Sequence, residues 1–66
     1  MPTQEFKSKK SNSIYTVSGT KERAFLTVTG EAYSKAKVQK EIARIRQSGS
    51  DWDTAVWTAK MLASTY

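Results

Sequence analysis

The sequence predicts an α+β fold: a small antiparallel β-hairpin or three-stranded sheet followed by two α-helices. Three observations point there. Two runs rich in β-branched and aromatic residues flank a short glycine-containing connection. Beyond them the apolar residues change to a spacing of three and four. Ser34, Gly49 and Ser50 stand where helix ends belong. The chain has 66 residues, enough for one hydrophobic core.

Residues 1–13 hold little to bury beyond Phe6, and read as a flexible basic arm ahead of a single domain over 14–66. The strands follow at 14–18 and 22–29, joined through Gly19, Thr20 and Lys21. In the second strand Ala24, Leu26 and Val28 share one face, expected to be the core side. Arg23, Phe25, Thr27 and Thr29 share the other. Tyr15 is a plausible neighbour of that outer set, where an aromatic beside basic groups could stack nucleobases. A plain cross-strand aromatic pair, or burial under the second helix, is the simpler reading. Gly30 and Glu31 make a turn, and Ala32 and Tyr33 are candidates for a brief third strand.

The first helix is expected from Lys35 to about Ser48. Ser34 would be its N-cap, Tyr33 and Val38 a hydrophobic staple, and Gly49 its left-handed C-cap. Val38, Ile42 and Ile45 mark its core face. The second helix is expected after Ser50, with Asp53 completing a variant capping box and Asp51 and Asp53 favouring the positive end of the helix dipole. Trp52, Ala55, Val56, Ala59, Leu62, Ala63 and Tyr66 trace one apolar face to the last residue.

Composition excludes several kinds of chemistry. The chain contains neither Cys nor His, so disulfides and zinc sites are ruled out. It also lacks a Gly-rich phosphate loop, and two of its six acids have capping roles. A non-enzymatic protein without cofactor, metal or small-molecule substrate is expected. There is no signal peptide or apolar run long enough for a membrane span, so a cytoplasmic protein without membrane association is the default.

The net charge of +5 is unevenly placed: residues 1–50 carry ten basic and four acidic side chains, residues 51–66 one and two. On the first helix Lys37, Lys40 and Arg44 fall within a sector of about 60°, away from the core stripe. Lys40 and Arg44 are like charges one turn apart, which weakens a free helix and suits a polyanionic partner. An ordinary solvated surface, with Glu41 reaching Lys37, explains the same residues. With Lys7, Lys9 and Lys10 on the arm, and Arg23, these residues form a candidate nucleic-acid surface, DNA favoured. Trp57 and Met61 lie roughly 140–180° from Trp52 around the second helix. They are a candidate contact for a protein partner or a second copy.

Ala24-Phe25-Leu26, Gly30-Glu31-Ala32-Tyr33 and Ile45-Arg46-Gln47-Ser48-Gly49 resemble segments of the bacterial cell-division activator CedA family. That resemblance implies a small antiparallel sheet with a helix, and binding of double-stranded DNA in a regulatory role. The run from Gly30 through Ser34, Lys35 and Ala36 into Ile42 and Ile45 is also similar to YegP-like small sheet-plus-helix proteins. Both resemblances lie within residues 14–49. The size and style of the chain would suit a bacterial or bacteriophage accessory protein.

Overall fold

The computed structural model describes residues 3–66. Strands β1 (Thr3–Lys7), β2 (Ser13–Gly19) and β3 (Ala24–Gly30) form one antiparallel sheet in that order. A 3₁₀ turn (Glu31–Ser34) leads into helix α1 (Ala36–Ser48), and helix α2 (Trp52–Thr65) follows directly. The fold is α+β, a sheet followed by two helices, as the residue pattern predicts.

The third strand lies at the N-terminal end, inside the segment expected to be a structureless arm; Met1 and Pro2 of that arm are outside the described residues. β1 pairs with β2 through Gln4 opposite Val17 and Phe6 opposite Tyr15. Its single apolar side chain is enough because an edge strand buries only one face, while the ladder satisfies its inward backbone groups. The serines that follow complete the connection. Ser8 Oγ accepts from the amides of Lys10 at 3.3 Å and Ser11 at 3.2 Å, and the Ser8 amide donates to Ser13 O at 2.9 Å. Ser13, nearly fully buried, accepts from the Ala32 amide at 2.8 Å. Ala32 and Tyr33 lie in the 3₁₀ turn and add no strand.

Both helices cover the same face of the sheet. Tyr15, Val17, Ala24, Leu26 and Val28 meet Val38, Ile42 and Ile45 of α1 and Ala55, Ala59 and Leu62 of α2 in one core. α2 crosses all three strands, whereas α1 lies against β3. The small side chains of Ala55, Ala59 and Ala63 allow α2 to approach the sheet closely. Tyr15 faces inward opposite Val28 and is fully buried, so it is no neighbour of Phe25 on the outer face. The cross-strand partner of Phe25 is Ser18.

Both helix starts lie one residue later than the capping pattern suggests. Ser34 is held in the 3₁₀ turn, its hydroxyl donating to Glu31 O at 3.0 Å. Lys35 is the residue at the N-cap position and provides no side-chain cap. Tyr33 is 63% exposed and does not join the packed side chains, so the expected staple on Val38 is not made. At α2 the cap is Asp51, whose carboxylate accepts from the Thr54 amide at 3.3 Å. Ser50 instead accepts the Ala24 amide on its carbonyl at 2.9 Å, tying the inter-helix turn to the head of β3. Gly49 is the left-handed C-cap of α1, at φ 63° and ψ 52°. Gly30 is more tightly constrained: at φ 94° any Cβ would collide with the backbone of Asn12 and Ser13.

Candidate functional site

Since α1 and α2 are joined by the short turn at 49–51, they run antiparallel and leave a groove between their outward flanks. Two hollows lie along it. One, of about 240 Å³, is bordered by Arg44, Ser48, Thr54 and Trp57 near the inter-helix turn. The other, of about 370 Å³, is bordered by Lys37, Lys40, Met61 and Tyr66 at the far end. Glu41 borders both. Lys37, Lys40 and Arg44 thus line the α1 wall, and Trp57 and Met61 line the α2 wall.

The helical periods place these side chains. On α1 the row 37–40–44 is displaced from the buried 38–42–45 stripe, so all three cations are exposed while the stripe is anchored. On α2, Thr58, Ala59 and Leu62 are buried, which turns Trp57 and Met61 outward at 64% and 37% exposure. Trp57 is the most exposed large apolar side chain among the described residues. What the sequence suggests as two surfaces with separate partners is, in the folded chain, two walls of one groove.

The electrostatics of the groove are simple. Glu41 approaches Arg44 at 4.0 Å, an i,i+3 contact on the surface. Its partner is therefore Arg44 and not Lys37. With the Arg44 side chain 78% exposed, the pair is loose and solvent-screened. Three cations therefore face the groove against one carboxylate. The N-terminus of α1, with no side-chain cap and no acid in its first turn, adds the positive end of a helix dipole beside Lys37.

The remaining basic candidates are dispersed. Lys7 lies on the open face of the sheet, next to Ile14. Lys9 and Lys10 lie in the β1–β2 connection, held at the Tyr66 end of the molecule. There the Lys9 amide donates to Ala63 O at 3.4 Å, and the Ser11 hydroxyl donates to Tyr66 O. Arg23 sits at the opposite end, its guanidinium beside Gly49 at the C-terminus of α1. A cation there also complements the negative end of the helix dipole. The fold thus groups Lys37, Lys40, Arg44, Trp57 and Met61, brings Lys9 and Lys10 to one end of that group, and leaves Lys7 and Arg23 apart.

Glu41 is the only side-chain carboxylate bordering the two hollows, and no group of three or more metal-ligating side chains exists among the described residues. No helix is long and apolar enough to cross a membrane among those residues. Comparison with family models, with curated proteins and with solved structures gives no match.

Proposed function

We propose that this chain is a small non-enzymatic protein that binds nucleic acid through the groove between α1 and α2. The observation that carries this reading is the exposed row of Lys37, Lys40 and Arg44, opposed by Glu41 alone. Along α1 the three cations rise by about 4.5 and 6 Å, at ~1.5 Å per residue. A row of that kind meets successive phosphates of one backbone strand. Each contact releases condensed counterions, so affinity should fall steeply with salt. Lys9 and Lys10 extend the basic path at the Lys37 end, and a regulatory role of bacterial or phage origin would suit a binder of this size.

The test is fluorescence anisotropy of a labelled oligonucleotide titrated with protein across a salt series. The wild-type chain should bind at low salt much more tightly than millimolar. Replacing Lys40 and Arg44 together with Gln should reduce the slope of log affinity against log salt by about two contacts' worth, roughly 1.5–2. Affinity no better than millimolar at low salt, or unchanged by salt, would rule the reading out.

A further inference from the structure

A row of cations supplies the proposed phosphate contacts but leaves the other wall without a role. Trp57 is 64% exposed on a helix whose opposite side is packed into the core, and Met61 follows it one turn later. An indole in that position is left mostly uncovered by this chain. A duplex would not stack a base on it, because a paired base has its faces inside the helix stack. Unpaired bases have free faces, and base–aromatic stacking is largely independent of base identity.

The geometry of the groove suits a nucleotide lying across it. Packed helices stand about 8–10 Å apart axis to axis, so a phosphate held on the α1 wall leaves its base over the α2 wall. Arg44 and Trp57 border the same hollow, and Lys37, Lys40 and Met61 border the other. Each hollow therefore offers at least one cation for a phosphate and one apolar side chain for a base. Along α2 the groove extends for about 20 Å at ~1.5 Å per residue, room for several nucleotides.

We propose that the nucleic acid held between α1 and α2 is single-stranded, with phosphates on Lys37, Lys40 and Arg44, one base stacked on Trp57 and a neighbouring base against Met61. This inference rests on the nucleic-acid reading above and specifies its ligand. The chemistry it requires is an unpaired run of nucleotides, which DNA and RNA both supply.

The test uses the whole chain and the emission of its two tryptophans. Trp52 is half-buried against the core and Trp57 is exposed, so a ligand in the groove quenches Trp57 selectively. The probes are oligothymidylate and oligouridylate of about eight nucleotides, with a DNA duplex of equal length, at two salt concentrations. Quenching by either single strand, absent in Trp57→Phe, supports the proposal, and the stronger of the two identifies the source. Trp57→Ala should weaken single-strand binding roughly ten-fold or more, and by much more than it weakens duplex binding. Trp57→Phe, which keeps a stacking ring, should retain most of the affinity. If duplex and single strand bind equally and Trp57→Ala affects neither, the single-strand proposal is overturned while the phosphate reading stands. If neither binds in a salt-dependent way, both fall. A protein occupant would appear as a concentration-dependent assembly dissolved by polar replacement of Trp57 and Met61, with oligonucleotide affinity unchanged, and that also overturns the proposal.

Discussion

Tyr15 shows how much one position can disagree with its surroundings. Its ring fills the centre of the core, yet its buried hydroxyl has no hydrogen-bond partner among the described residues. Burial, with the nearby Tyr66 phenol as a second cause, pushes its pKa above the ordinary tyrosine value. A raised folded-state pKa means that its contribution to stability is complete below about pH 10 and is lost as pH rises further. Tyr15→Phe should therefore remove an alkaline unfolding step. At neutral pH it should leave stability unchanged or raise it by about 1 kcal/mol, since an unpaired buried hydroxyl costs about 1–3 kcal/mol. Urea midpoints at pH 7 and pH 11 would show this, and a clear loss at pH 7 would mean that the hydroxyl is bonded. Asp51 has the opposite sign. Hydrogen bonding from Thr54 lowers its pKa below the usual carboxylate range. Its contribution is present above the ordinary carboxylate pKa of about 4 and lost as pH falls through the depressed value. The acid limb of a melting-temperature profile should flatten in Asp51→Asn, which keeps a cap but cannot titrate.

At the scale of elements, helices α1 and α2 and strands β2 and β3 were legible because their apolar residues follow a period. Val38, Ile42 and Ile45, and Ala55, Ala59 and Leu62, announce their buried faces. β1 was not legible because the information that makes it a strand lies elsewhere. Thr-Gln-Glu-Phe-Lys has no period of its own, and its pairing comes from the free edge of β2. The helix starts fall one residue later for a related reason: Ser34 and Ser50 are good caps in isolation, but the Ser34 hydroxyl donates to Glu31 O and the Ser50 hydroxyl pairs with that of Ser48. The β1 register has a measurable consequence. The Ser8–Ser13 bond fixes which amides of the strand point inward, so Gln4 and Phe6 pair with β2 while Glu5 and Lys7 point outward. Hydrogen exchange should show protected amides at Gln4 and Phe6 and nearly unprotected ones at Glu5 and Lys7. Uniformly fast exchange over residues 3–7 would mean that the segment is an arm after all.

For the molecule as a whole, each wall of the groove could be read from one helix alone, but the groove itself could not. Helical angles place Lys37, Lys40 and Arg44 together and set Trp57 and Met61 apart from the core. Only the antiparallel docking of α1 on α2 makes them neighbours. Glu41 becomes significant for the same reason: in sequence it is one acid among bases, and in the groove it is the single acidic side chain beside three cations. Glu41→Gln should raise oligonucleotide affinity a few-fold, while a loose surface pair contributes so little that stability should hardly change. A drop in affinity would show Glu41 to be a contact and not a brake. The way α2 spans the sheet also has a consequence in time. α2, synthesised after all three strands, packs on each of them, β1 included. Until α2 has left the ribosome, any sheet already formed has Tyr15 and Val17 of β2 bare on one side, because α1 covers β3 alone. Contacts so distant in sequence slow folding, and a chain arrested before α2 would be sticky rather than half-functional.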